Sequence, residues 1–235
     1  MISIKRIQAV VTKDFQDLKK NAYMLSTAVV PIFFAFIFGQ QEATGDLDTA
    51  VFFMPIMLTM VIVGSFVQAA MIAEEKEKNT LRGLLLSPLS TSEIFIGKSI
   101  LSAIVSIFMI IVVIYIGNIP IPDQIPLVVA AIFISLIIFI SIGTILGLLS
   151  RTVMETSVMG IPVLFIFGMG DLFHNMIESE WLLNILSYLP DQQFGQALVQ
   201  LNNGNAIGEQ LVALSIWAVV SVLVTVYIFK KRRID

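Results

Sequence analysis

The sequence predicts an all-α integral membrane protein with six transmembrane helices. An N-terminal interfacial helix precedes them, a water-facing loop separates the second and third spans, and short re-entrant or interfacial helices lie between the fifth and sixth. Three observations carry this reading. Hydrophobic residues make up 57% of the 235-residue chain and charged residues only 13%, where soluble domains carry about 25% charged residues. Six apolar stretches approach the roughly 20 residues needed to cross about 30 Å of hydrocarbon. All fourteen Lys and Arg residues fall before the first stretch, in the second and fourth connections, or after the last. The alternate connections hold acidic residues and no basic ones.

From the N-terminus, Ile4, Ile7, Val11, Phe15 and Leu18 recur at three- and four-residue intervals, with Lys5, Arg6, Lys13, Lys19 and Lys20 between them. That pattern predicts a helix over residues 1–20 lying in the membrane interface. It lacks the unbroken apolar run and small-residue cleavage site of a signal peptide. The spans are expected near residues 21–38, 50–73, 94–117, 126–149, 153–170 and 211–229, with no internal repeat and no soluble domain, so that 1–235 forms one transmembrane domain.

Positive charge is retained on the cytoplasmic side. Both termini and the loop between the second and third spans are therefore expected in the cytoplasm of a plasma-membrane protein. This loop, 74–93, is dense in charge (Glu74, Glu75, Lys76, Glu77, Lys78, Arg82, Glu93) and carries an apolar patch of Leu81, Leu84, Leu85 and Leu86. Pro88 ends the patch, because proline restricts the residue before it and supplies no helical donor. A short amphipathic helix displayed in water predicts a docking element for a cytoplasmic partner. The segment 171–208 is expected on the outer side. Trp181, Leu182, Leu183, Ile185, Leu186, Tyr188 and Leu189 make it too apolar for an ordinary loop and suit one or two short helices at headgroup depth.

Several chemistries are excluded. With no cysteine, neither a disulfide framework nor a thiolate metal site is possible. Gly97-Lys98-Ser99 ends like a phosphate-binding loop, but Ser92 occupies the position of its first glycine and an apolar span follows. His174, the single histidine, lacks companions at metal-ligand spacing. No Lys, Arg, Asp or Glu falls in the middle of a predicted span, which argues against an ion-coupled carrier and for a lipophilic or amphipathic substrate. Gln68, Ser102, Thr144 and Ser157 are among the polar groups inside the spans, where they suit interhelical hydrogen bonds. Gly143-Thr-Ile-Leu-Gly147 is a small-xxx-small motif expected to pack helices within the subunit. Met57 and Met60 offer an adaptable wall to a substrate path or ordinary core packing.

The acidic end of the second span, Thr80-Leu81, Leu84-Leu85, Ser87-Pro88-Leu89, Glu93 and Gly97-Lys98 together resemble the signature of ABC-2 type permeases, the membrane subunits of one class of ATP-binding-cassette exporters. Leu189-Pro190, Phe194 and Ala197-Leu198 resemble the family's outer pattern, while Arg82-Gly83 departs from it where an acidic residue is common. The resemblance covers the whole chain. It implies a transport subunit without its own nucleotide site or cofactor. ATP and Mg would sit on a separate ABC ATPase subunit, present in two copies beside a second permease copy or paralogue, with no nucleic acid among the partners. It also implies a cytoplasmic coupling helix whose docking residues are Glu74, Glu75, Thr80, Leu81, Leu84, Leu85 and Pro88. A substrate path is implied between second and fifth spans at Met57, Met60, Gln68 and Ser157, and an outer gate at Trp181, Tyr188, Pro190 and Phe194. The cargo would be an antimicrobial peptide, a lipid or a drug. The alternatives are a sodium-exporting member and a membrane-embedded immunity or scaffold protein that does not transport.

Overall fold

The computed structural model describes residues 3–21, 26–41, 49–80, 90–168 and 179–232. The N-terminal helix α1 (Ile4–Lys20) is followed by α2 (Val29–Gln41). Next, α3 (Thr49–Leu58), a π-helical stretch (Thr59–Val67) and α4 (Gln68–Glu77) run on as one continuous helix. Then come α5 (Thr91–Gly117), α6 (Ile125–Leu149), α7 (Val153–Gly168), α8 (Glu180–Ser187), α9 (Pro190–Asn202) and α10 (Gly208–Arg232).

Among the described residues, four helices are long and apolar enough to cross a membrane: Val51–Glu77, Glu93–Gly117, Ile125–Leu149 and Gly208–Lys231. They coincide with the second, third, fourth and sixth predicted spans. At the first and fifth, α2 and α7 are apolar but have 13 and 16 residues. At 1.5 Å per residue they reach about 20 and 24 Å, short of the hydrocarbon thickness. Residues 22–25 and 169–178, which adjoin them, lie outside the described set.

The continuous helix from α3 to α4 is the axis of the fold. It is apolar on every side, and a helix of that kind must be covered on every side; 94% of its apolar window is buried, against 17% for α10. Small residues let its neighbours approach. A Cβ on Gly143 would overlap the Ser65 carbonyl, and one on Gly147 would lie 2.7 Å from the Ala69 carbonyl oxygen. The glycine motif of α6 is thus an intrasubunit contact, as expected. The π-helical turns follow Pro55, which lacks a backbone donor. The Thr59 hydroxyl donates to the Pro55 carbonyl at 2.8 Å. Phe53, Met60, Val61, Phe139, Phe194 and Leu198 pack together in the principal core.

The segment expected to rest in the outer interface is divided. Trp181 and Ile185 in α8 and Tyr188 just after it are exposed, whereas α9 places Phe194, Ala197, Leu198 and Leu201 in the core. Pro190 opens α9, where a missing donor is tolerated. Trp217 Nε1 donates to the Tyr188 carbonyl at 2.8 Å, fastening the turn between α8 and α9 to α10.

Candidate functional site at the basic end of the bundle

Helix α1 buries Val10, Asp14 and Leu18, a stripe of every fourth residue. This corrects the predicted face: Ile4 and Phe15 are exposed. The apolar residues Ile7, Val11 and Phe15 lie roughly 100° or less around the helix from the docked stripe. The stripe sits on α5, where Gly97 makes room for it; a Cβ there would be 2.8 Å from Val10 Cγ1. The next residue, Lys98, falls in the first turns of the expected third span and is only 1% exposed. It lies inside α5 because Ser90 and Glu93 start that helix with reciprocal bonds. Ser90 N donates to Glu93 Oε2 at 2.7 Å and Glu93 N to Ser90 Oγ at 3.2 Å.

Lys98 Nζ donates to Asp14 Oδ2 at 2.9 Å and lies 3.1 Å from Glu75 Oε2. Lys13 Nζ donates to Glu75 Oε1 at 2.5 Å and to Asp14 Oδ1 at 3.3 Å. Two buried carboxylates are therefore shared by two ammonium groups, and the more exposed Asp17 adds a third carboxylate 3.7 Å from Lys13. Burying these charges is tolerable only with such pairing. Burial alone would lower the Lys13 pKa. The hydrogen bond and charge of Glu75, followed by those of Asp14, outweigh it and raise the group from 10.5 to about 12.

The end of α4 distributes contacts to four other helices. Glu74 accepts from Asn21 Nδ2, at the end of α1, at 3.0 Å. Glu75 holds Lys13 and Lys98 on α1 and α5. Lys76 Nζ donates to the carbonyls of Leu148 at 2.7 Å and of Ser150, where a cation satisfies the unpaired C-terminal acceptors of α6. Glu77 Oε2 accepts from Val153 N at 3.1 Å, at the start of α7, where an anion suits the helix terminus. Arg6 and Glu93 add a 3.7 Å pair between α1 and α5. This end of the bundle gathers Lys13, Lys76, Lys98, Arg151 and, through the Phe95–Phe229 ring contact at 4.8 Å, the neighbouring Lys230.

The described members of the predicted docking set differ in exposure. Glu75 faces the interior at 5% exposure and Glu74 is half-buried, so both belong to the joint rather than to a free surface. Thr80 is exposed, its hydroxyl donating to the Glu75 carbonyl at 3.3 Å. Leu81, Leu84, Leu85, Pro88 and also His174 lie outside the described residues. Of the predicted substrate path, Met57, Met60 and Gln68 are buried within the subunit. Gln68 Nε2 donates to Thr144 Oγ1 at 3.0 Å and its Oε1 accepts from Ser102 at 2.7 Å. Its amide therefore bonds α4 to α5 and α6. Ser157 is half-buried, donating to the Val153 carbonyl at 3.1 Å. Of the predicted gate, Trp181 and Tyr188 are exposed and Pro190 and Phe194 buried. A Cβ on Gly195 would be 3.2 Å from Met57 Cε, so the central helix meets the gate segment directly.

Residues 4–227 match the family described as "ABC-2 family transporter protein". The chain belongs to the ABC-2 transporter family. It is accordingly a multi-pass membrane subunit of an ABC transporter. It is also 38% identical over 74 residues to the "Probable multidrug ABC transporter permease YbhR" of Escherichia coli K12 and of Escherichia coli O157:H7. That stretch is 31% of this chain and 20% of each relative; the chain spans about a fifth of the length of the curated relatives it matches. Within this ABC-2 chain, sequence reasoning missed Asp14, Lys13, Lys76, Glu77 and Lys98 as members of one cluster. The available signal was Asp14 in a stripe between Val10 and Leu18, with Lys98 inside the helix opened by Ser90 and Glu93.

Proposed function

We propose that the chain is the permease of an ATP-driven exporter, with both termini cytoplasmic and 1–235 acting as one transmembrane domain. Two permeases, identical or related, pair with two ABC ATPase subunits, which hold the ATP and Mg. The cargo is lipophilic or amphipathic: an antimicrobial peptide, a lipid or a drug. The observation that supports this reading is the ionic joint. The coupling loop, 74–93, runs in sequence from α4 to α5, and those helices are tied to one another and to α1 through Glu75, Lys98 and Asp14. A displacement of the docked segment by ATPase closure would move these tied helices together, and packed elements transmit such a displacement as rigid bodies.

Leu84→Asp tests the assignment in the assembled complex. Burying a leucine at a partner surface contributes about 1.5–3 kcal/mol, so its replacement should weaken ATPase attachment by roughly tenfold or more. Glu74→Lys with Glu75→Lys should uncouple hydrolysis from export more than it detaches the partner, because those carboxylates belong to the joint. Partner pull-down, ATPase rate and substrate efflux are measured in one membrane preparation. Normal values of all three for Leu84→Asp would refute docking at this segment. Protection that persists without any ATPase would support the scaffold function instead.

A further inference from the structure

A groove of about 480 Å³ opens between α5, α6 and α10, on the surface of the bundle and apart from the ionic joint. It follows α5 from Phe95 to Ile107, with Ala103 in its floor, and its other walls are Phe133 to Thr144 of α6 and Val222 to Val226 of α10. Twelve steps along α5 at 1.5 Å make it about 18 Å long. That is close to half of the roughly 30 Å hydrocarbon layer, the depth of one leaflet. Its wall is mostly apolar, and two of its four hydroxyls are bonded within the protein. The Thr144 hydroxyl is bonded to Gln68 and the Ile140 carbonyl, and the Thr225 hydroxyl to the Ser141 and Ser221 carbonyls. At one end Phe95 and Phe229 meet edge to face at 4.8 Å. Immediately beyond them on α10, Lys230 and Lys231 are both exposed.

We propose that this groove holds one acyl chain of an anionic phospholipid from the leaflet on the basic side, with the headgroup phosphate at Lys230 and Lys231. A tail of one leaflet's depth matches the groove, whereas a transmembrane helix of a second copy would need a contact running through both leaflets. The apolar wall recognises the tail and the two ammonium groups recognise the net negative headgroup; in a zwitterionic lipid the headgroup cation offsets the phosphate and repels the lysines, so only the tail contact is kept in full. The site rests on the membrane placement of the chain and is independent of what is exported.

Native mass spectrometry of the full-length chain, released from detergent with phosphatidylglycerol or phosphatidylcholine of identical tails, tests the site. The wild-type subunit should retain one phosphatidylglycerol with a preference of about thirtyfold over phosphatidylcholine, given the attraction of roughly 1 kcal/mol for each of the two cations near an anionic surface. Lys230→Gln with Lys231→Gln should bring that preference close to unity while both lipids still bind. Ala103→Trp, which fills the groove, should abolish retention of both, and Val219→Trp, outside the groove on α10, should leave it unchanged. Equal retention of the two lipids by the wild type, or a preference that survives loss of both lysines, overturns the proposal even where Ala103→Trp fails to fold. Disulfide-linked dimers of Ala103→Cys also overturn it, assigning the face to a second copy.

Discussion

Lys98 on α5 and Glu75 at the end of α4 meet at 3.1 Å, both enclosed by protein. The two helices that flank residues 81–89 in sequence are therefore joined to each other. Asp14 draws α1 into the same contact at 2.9 Å.

Lys98→Met should destabilise the subunit by about 3–5 kcal/mol, because it leaves two buried carboxylates to share Lys13. Replacing Lys98 and Asp14 together, by Met and Leu, should recover much of that loss, since a buried pair exchanged for apolar groups is often close to neutral. Thermal unfolding in detergent measures both. A loss for Lys98→Met no larger than for Lys19→Met, on the exposed side of α1, would contradict the geometry.

Lys13 gives the joint a pH dependence of defined sign. Its folded pKa of about 12 lies above the ordinary 10.5, so its contribution is complete below the lower value. It is lost as pH rises through the higher one. Fluorescence transfer between α1 and α5 should hold steady from neutral pH to about 10 and decline above that. Lys13→Arg, which does not titrate there, should retain the transfer at pH values where the wild type has lost it. Identical profiles would show that another group controls attachment.

Gly143→Leu and Gly147→Leu should each cost about 1–3 kcal/mol or more, because the new side chains meet the backbone of Ser65 and Ala69. The thermal midpoint should fall while the oligomeric mass is unchanged. A change in mass at an unaltered midpoint would place the glycines between subunits.

Asn203 and Lys78 are both exposed, near opposite ends of the bundle. In intact cells Asn203→Cys should react with an impermeant thiol reagent, whereas Lys78→Cys should react only after the membrane is opened. Because neither position is buried, a failure to react reports the side of the membrane. Labelling of Lys78→Cys from outside would overturn the orientation.

Much of the architecture was legible in the sequence because membrane helices announce themselves by composition. The long spans, the intrasubunit role of Gly143 and Gly147, and paired short helices before the last span all follow from local pattern. Which face a span buries did not follow. The helix through Met57, Met60 and Gln68 is apolar all round, so periodicity cannot distinguish a substrate-facing side from a covered one. The joint was hidden for a different reason. Charge distribution marks the side of a membrane on which Glu75 and Lys98 stand, but not whether they face water or one another. Their pairing depends on the seat that Gly97 provides for Val10, a contact between residues far apart in the chain.

The burial of the central helix bears on how the protein is made. Synthesis runs from the N-terminus, and Gln68 precedes its partners Ser102 and Thr144 by 34 and 76 residues. At about 5–20 residues per second, the later partner is translated roughly 4–15 s after it. Until α6 is made, the helix that ends as the axis of the bundle has none of α6, α7 or α9 against it. A nascent chain halted before α6 presents to lipid the Ser65 and Ala69 surface that the finished subunit encloses. The centre of this protein is made early and its cover late.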